Sequence, residues 1–196
     1  MTAATTDTLS DRMPPLELAQ MNDAQRSAAE ALTAGPRGGV FGPFVPLLRS
    51  PALMDRLQRV GEYLRFQSSV PARLNEFAMM VVSREWTQQF EWAVHRPLAL
   101  KAGLAPATAE ALAQGRRPDT LAADEAVVYD FTDELLRRHG VCDTTYARAR
   151  ELLGEQGVLD LVGLLGYFTT LSMVMNVAHT PRGADAACAP LDSFPF

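Results

Sequence analysis

Residues 71–104, PARLNEFAMMVVSREWTQQFEWAVHRPLALKAGL, contain two helical patterns in succession and decide the fold. Pro71 stands at the opening of the first pattern, where a proline fits the first turn of a helix. Gly103 and Pro106 follow the second pattern, and residues of these types commonly end helices. The sequence therefore predicts two consecutive helices joined by a tight connection near Arg84.

A polar stripe is predicted on the second helix. At about 100° per residue, Gln88, Glu91 and His95 fall within roughly 60° of one another and share one side. Such a stripe is either solvated surface or the wall of a site. A separate apolar row can face a core, and it consists of Phe90, Val94 and Leu98.

Helical patterns continue on both sides of this pair, and the signal for strands is weak. We predict one all-α domain of about seven to nine helices at residues 23–180. An extended or disordered lead at 1–22 precedes it, and a tail at 181–196 follows it. Irregular chain is expected in GPRGGVFGPFVP at 35–46. The further helices are predicted from Asp23 to about Thr33, from Pro51 to near Ser68, and at 106–114, 123–139, 143–153 and 156–177.

Composition and charge exclude several classes of function. The formal net charge is −5 and the basic residues are scattered, so no nucleic-acid partner is predicted. The first twenty residues contain no apolar run typical of a signal peptide. Two isolated cysteines, Cys142 and Cys188, fit a reduced, cytoplasmic location. No glycine fingerprint follows a predicted strand, so neither a dinucleotide site nor a P-loop is indicated.

One segment imitates a membrane span. From Leu161 to Pro181 the chain contains no Asp, Glu, Lys or Arg. Glycine, hydroxyl and amide residues dilute its hydrophobicity, and no cationic cluster flanks it. We expect a buried helix or an oligomer-interface helix, and no membrane partner.

Residues 71–104 resemble the core of the carboxymuconolactone decarboxylase family, which is related to alkylhydroperoxidase D. The matching positions are Glu76 on the first helix and the series Glu91, Trp92 and His95 on the second. Flanking segments extend the resemblance over most of residues 41–177. These segments are FGPFVPLLRSPAL, VGEYLRF, DEAVVYDFTDELL and LLGYFTTLSMVMN. The resemblance implies an alkylhydroperoxidase D-like helical domain.

The sequence departs from the peroxidase branch at two decisive positions. In that branch, two cysteines lie four and seven residues before the histidine, where this chain has Glu91 and Gln88. Peroxide reduction of this type requires a thiolate, which neither residue supplies. The resemblance is therefore to the cysteine-free, decarboxylase-like branch.

The resemblance implies a lyase or isomerase that acts by acid and base chemistry on an unsaturated, carboxylated small molecule or lactone, as in aromatic catabolism. His95 can transfer a proton near neutral pH, with Glu91 in the same polar stripe, and Glu76 can fix the tautomer of the histidine. Gln88 can stabilise a developing oxyanion. Substrate-binding candidates are Arg73, Arg84, Trp92 and Asn176, and Arg65 and Arg96 are further candidates for holding a carboxylate.

Other functions remain open at this stage. The protein is alternatively a non-catalytic oligomeric binder of small molecules, or a residual peroxidase that relies on Cys142 or Cys188. Glu91 and His95 are spaced to chelate a metal, but the chain has only three histidines and no second Glu-x-x-His element, so neither metal nor another cofactor is expected. The apolar helix 156–177 predicts a homo-oligomer, a dimer, trimer or hexamer, with the site near a subunit boundary.

Overall fold

The protein is all-helical over the residues that the structure, a computed structural model, describes: 10–183 and 188–193. The predicted fold class is confirmed for these residues, and the parts of the predicted lead and tail at 1–9, 184–187 and 194–196 lie outside them. The eight helices are α1 (Asp23–Ala34), α2 (Phe44–Leu47), α3 (Pro51–Phe66), α4 (Ala72–Glu85), α5 (Gln89–Lys101), α6 (Pro106–Ala113), α7 (Ala123–Arg138) and α8 (Asp143–Ala178).

The ends of the helices follow the chemistry of their capping residues. Asn22 caps α1, because its side chain accepts a hydrogen bond from the backbone of Gln25 at 2.9 Å. Helices α7 and α8 end at His139 and His179, both in the left-handed conformation.

Two segments differ in detail from the prediction. The run at 35–46, expected to be irregular, contains the start of α2, because Phe44 and Leu47 turn inward and are buried. The predicted helices 143–153 and 156–177 form a single element, α8. Gly154 has φ 70° and interrupts the helix, so a kink lies at the predicted boundary between the two helices.

Helix α4 lies at the centre of the domain. Most of its residues are buried, and it packs against α5, α6, α7 and α8. The largest fully buried side chains around it are aromatic: Phe77, Trp92, Phe131 and Phe168. A side chain on the inner faces of α4 and α5 is therefore shielded from water on several sides.

Among the described residues, α8 is the one helix long and apolar enough to cross a membrane by length and composition. In its most apolar window 56% of the residues are buried inside the protein, which fits the expected core helix. An apolar face nevertheless stays at least partly exposed. We call it the α8 stripe, and it consists of Leu159, Val162, Gly166, Thr170, Met173 and Val177.

The described parts of the lead and the tail pack against the helices. The backbone N–H of Arg12 donates to the carbonyl of Ala178 at 2.8 Å, and the lead also contains a short 3₁₀ helix, Leu18–Gln20. On the tail, Leu191 is buried, and its backbone exchanges two hydrogen bonds with the side chain of Gln89.

Candidate functional site

A sharp turn between α4 and α5 sets the geometry of the site. Helix α4 ends at Glu85, and α5 begins at Gln89 after only three intervening residues. Thr87 adopts φ 45°, a left-handed conformation that residues other than glycine seldom take. This turn brings the inner face of α5 against α4, so that Glu76 and His95 meet.

His95 lies between two carboxylates. Its Nδ1 is 2.7 Å from Oε2 of Glu76 on α4, and its Nε2 is 3.0 Å from Oε2 of Glu91 one turn earlier on α5. The side chains of His95 and Glu91 are 3% and 4% exposed, whereas that of Glu76 is 15% exposed. We call these three residues the carboxylate–histidine triad.

The buried face of α5 includes two residues of the predicted polar stripe, and the predicted apolar row is less buried than they are. The buried residues of α5 are Glu91, Trp92, His95 and Ala99, whereas Leu98 of the predicted apolar row is 36% exposed. Glu91 and His95 can be buried because they are paired with each other, and His95 is also paired with Glu76. Such pairing is the condition for placing charged groups in a core. Glu91 and His95 of the polar stripe thus form an internal wall and are not solvated surface.

The triad needs a shared proton. A neutral imidazole has one N–H, so its second nitrogen would direct a lone pair at a carboxylate oxygen. A proton on both nitrogens, or on one carboxyl group, removes this repulsion. Burial lowers the pKa of His95, but the hydrogen bonds and negative charges of Glu76 and Glu91 outweigh burial and raise its pKa above the ordinary 6.5. The imidazole of His95 therefore keeps its second proton to a higher pH than a free imidazole does.

Aromatic side chains enclose the imidazole. The ring of Phe168 on α8 meets His95 edge-on, with centroids 5.0 Å apart, and meets Tyr167 in the same manner at 5.4 Å. Trp92 is 1% exposed and belongs to the core, so packing is its visible role.

Gln88 and Asn176 lie together, in a different environment from the triad. Gln88 precedes α5 in an extended conformation, so the helical spacing that placed it beside Glu91 and His95 does not apply. Its amide oxygen accepts from Phe90 N–H at 2.6 Å and its amide nitrogen donates to Asn176 at 2.9 Å. Both line an open groove with residues such as Gln89 and Arg182. The oxyanion role of Gln88 stays a prediction.

The two predicted arginines are engaged elsewhere. Arg73 forms ion pairs with Asp124 and Glu125 at the start of α7. Arg84 is 4% exposed and donates to the carbonyl of Asp192 at 2.7 Å, which ties the tail to α4. The structure gives both side chains structural partners, and a role for either one in binding substrate stays a prediction.

Sequence reasoning missed Arg37. It lies in the glycine-rich connection after α1, where no helical periodicity marks a residue as inward-facing. Its guanidinium nevertheless reaches the Tyr167 hydroxyl, with Nη2 3.4 Å from Oη. The only available signal was a single cation in a segment without any other charge.

The donor set does not converge on a metal. In the ranges 10–183 and 188–193, no group of three or more His, Cys, Asp and Glu side chains is arranged to hold an ion. The two nitrogens of His95 face different carboxylates, on opposite edges of the ring. The expectation of a metal-free site stays a prediction.

The two cysteines are free thiols with other neighbours. Cys142 precedes α8 and is exposed, and its sulfur lies 3.3 Å from Thr145 Oγ1. Cys188 is partly buried, and its sulfur accepts from Arg182 at 3.4 Å. The two sulfurs thus contact side chains outside the triad.

Comparisons with known proteins identify the fold. No family model matches the sequence, and no curated protein matches it. Among solved structures, it is similar to an alkylhydroperoxidase AhpD core, an uncharacterized peroxidase-related protein from Ralstonia eutropha JMP134, with TM-score 0.70. The match covers 89% of this chain and 93% of the other. The chain has the alkylhydroperoxidase D fold. At 15% identity, this likeness establishes the alkylhydroperoxidase D architecture alone.

Proposed function

We propose that the protein is a lyase or isomerase of carboxymuconolactone decarboxylase type, which transfers a proton on an unsaturated, carboxylated small molecule or lactone. The observation that carries the proposal is the position of His95, with each ring nitrogen within hydrogen-bond distance of a carboxylate. Such an arrangement both stores a proton and fixes the imidazole that delivers it.

The chemistry of the proposed reaction matches what the triad offers. In a lactone whose carboxylate is vinylogous to the carbonyl, breaking the carbon–carbon bond releases CO2 and leaves the electron pair in a dienolate. A proton from the triad then adds to carbon, and water restores that proton. Glu76 is the most exposed member and therefore the one best placed to exchange protons with solvent.

The residues at the two positions of the peroxidase thiols support the cysteine-free branch. Glu91 contacts His95 directly, and Gln88 caps α5. A carboxylate beside the imidazole favours its protonated form, which suits proton donation. Neither group can form the sulfenic acid on which thiol-based peroxide reduction depends.

Deuterium incorporation tests the proposal. The protein is incubated with unsaturated lactone carboxylates in D2O, and loss of substrate and deuterium at the protonated carbon are followed by NMR. Loss of a general acid typically costs 10²- to 10⁴-fold, so we expect the turnover of His95→Asn to fall by about 10²-fold or more. Glu76→Gln and Glu91→Gln should also be slower than the wild type.

Glu85→Gln is the matched control, because Glu85 lies on α4 like Glu76 but pairs with Arg137 near the surface. It should retain the wild-type rate. Wild-type turnover in His95→Asn would refute the assignment of the triad.

A non-catalytic small-molecule binder is the second candidate, because the imidazole is only 2% exposed. Binding of the same lactones without any deuterium incorporation would favour the binder. The raised pKa of His95 favours the enzyme, since a binding site has no need of a shared proton.

A further inference from the structure

Arg37 is a cation without a charged partner within ion-pair distance in the described ranges. Its Nε is buried and has no hydrogen-bond partner there, and its guanidinium lies 4.6 Å above the ring of Phe44. Its hydrogen bond to the Tyr167 hydroxyl is long, at 3.4 Å. Arg37 as a whole is partly buried, and a cation removed from water ordinarily pairs with an anion, because the loss of hydration otherwise goes uncompensated.

Tyr167 supplies a second donor at the same place. The tyrosine is 4% exposed, and burial, opposed in part by the charge of Arg37, raises the pKa of its hydroxyl to about 12. The hydroxyl therefore keeps its proton. Two donors 3.4 Å apart can both reach a single oxygen placed between them at ordinary hydrogen-bond distances.

Gly61 on α3 makes room for both side chains. A Cβ atom at this position would lie 2.1 Å from Tyr167 Oη and 2.6 Å from Arg37 Nη2. Glycine is unfavourable inside a helix, so its presence here has a packing reason. Three separate segments, the connection after α1, α3 and α8, thus converge on this point.

The donor pair adjoins the triad. Phe168 touches both the ring of Tyr167 and the ring of His95. The negative charge of Glu91 acts electrostatically on both Arg37 and Tyr167. An anion held by these two donors would consequently lie on the side of the triad occupied by Glu91.

We propose that Arg37 and Tyr167 form an anion subsite that holds a carboxylate of the substrate beside Glu91. The Nη2 and Oη donors bind one oxygen, and Nε binds the second, which is the side-on geometry that guanidinium groups offer to carboxylates. The inference rests on the proposed function for its substrate class. It assigns the binding of the carboxylate to Arg37 in place of the predicted Arg73 and Arg84.

Binding measurements test the subsite separately from turnover. The full chain is titrated calorimetrically, in buffer free of carboxylate and phosphate, with the unsaturated dicarboxylate muconate, its half-ester and inorganic phosphate. Muconate should bind, and Arg37→Met, which keeps the apolar stem, should weaken it at least tenfold. Tyr167→Phe removes only the hydroxyl and should weaken binding severalfold. Gly61→Ala should abolish it by displacing both donors.

Arg59→Met is the matched control, because Arg59 is an exposed arginine on α3 that pairs with Asp55. It should bind muconate like the wild type. Calorimetry detects binding without turnover, so a failure of the proposed reaction leaves this measurement intact. If Arg37→Met does not fold, the subsite is tested by comparing the muconate affinity of Tyr167→Phe with that of the wild type.

Three outcomes would overturn the subsite. The first is equal muconate affinity of the wild type and the folded Arg37 or Tyr167 variants. The second is the absence of binding by the wild type. Tighter binding of phosphate than of either carboxylate is the third, and it would assign the donors to a phosphate instead.

Discussion

Glu76 and His95, 19 residues apart in the chain, are joined by a 2.7 Å hydrogen bond across the α4–α5 pair. Glu91 contacts the other edge of the same ring. The imidazole therefore separates two carboxylates in the interior of the domain. Its removal would do more than stop proton transfer, because it would leave the buried Glu91 and the partly buried Glu76 without their shared partner.

His95→Asn should strongly destabilise the protein. The side chain is buried between its two partners, so the substitution removes more than a surface group. Removing one partner of a buried charge cluster typically costs about 3–5 kcal/mol. Urea denaturation followed by circular dichroism measures the free energy of unfolding.

His139→Asn is the control for this experiment. His139 is exposed and left-handed at the end of α7, and asparagine tolerates that conformation. The control should unfold at nearly the wild-type urea concentration. A His95→Asn variant as stable as this control would contradict the buried triad.

The contribution of His95 to stability should decrease as the pH rises. The folded-state pKa of His95 lies above its ordinary 6.5, so the native state binds this proton more tightly than the unfolded chain does. The stabilisation is thus complete below about pH 6.5 and is lost as the pH passes through the folded-state pKa. The difference in unfolding free energy between wild type and His95→Asn should shrink accordingly as the pH rises above about 6.5. A difference that grows over this range would reverse the sign of the coupling.

Asp160→Asn should loosen the attachment of α8 to the chain before α4. The carboxylate of Asp160 accepts hydrogen bonds from the Ser69 backbone at 2.8 Å, from Tyr63 at 2.9 Å, and from the hydroxyls of Ser68 and Ser69. An amide turns one acceptor into a donor that faces other donors. We expect a loss of about 1–3 kcal/mol in the free energy of unfolding.

The effect of Asp160 should depend on pH in the opposite sense to that of His95. Burial raises the pKa of Asp160, but the hydrogen bonds outweigh burial and leave the pKa below the ordinary 3.8. Its stabilisation is therefore present above about pH 4 and is lost as the pH falls through the folded-state value. Asp55→Asn, at an exposed ion pair, is the control and should have little effect. Equal unfolding curves for the two variants would show that the Asp160 bonds contribute nothing.

Spacing along the chain predicts the pairing of Glu91 with His95, whereas the contact of His95 with Glu76 depends on tertiary structure. Glu91 and His95, four residues apart, share a helix face by geometry alone. The meeting with Glu76 followed from the resemblance and depends on the turn at Thr87. Helical periodicity failed for Gln88, because the helix begins one residue later. Periodicity also said nothing about Arg37, since the glycine-rich connection has no repeating pattern from which an inward direction could be inferred.

The α8 stripe should mediate self-association. Its members are spaced three or four residues apart on one face, and Leu159 and Val177 are 70% and 59% exposed. A continuous apolar face of this length is typical of an interface. Light scattering at micromolar concentration should return a multiple of 21.4 kDa, and Gly166→Arg should shift the protein toward the monomer.

Leu18→Glu is the matched control for self-association, because Leu18 is 75% exposed but lies away from α8 in the chain. It should leave the oligomer intact. A monomeric wild type would contradict the predicted self-association through the α8 stripe.

The protein should lack thiol-based peroxidase activity, although it shares its fold with a protein described as peroxidase-related. Reduction of a hydroperoxide by this route needs a thiolate that becomes a sulfenic acid and a second thiol that resolves it. The free thiols of Cys142 and Cys188 contact Thr145 and Arg182, not the triad. The double variant Cys142→Ser with Cys188→Ser should therefore keep the lactone turnover or ligand binding of the wild type. An organic hydroperoxide supplied with a dithiol reductant should be consumed no faster than in buffer. Hydroperoxide turnover that disappeared in the double cysteine variant but survived His95→Asn would place the chemistry on sulfur and refute the role of the triad.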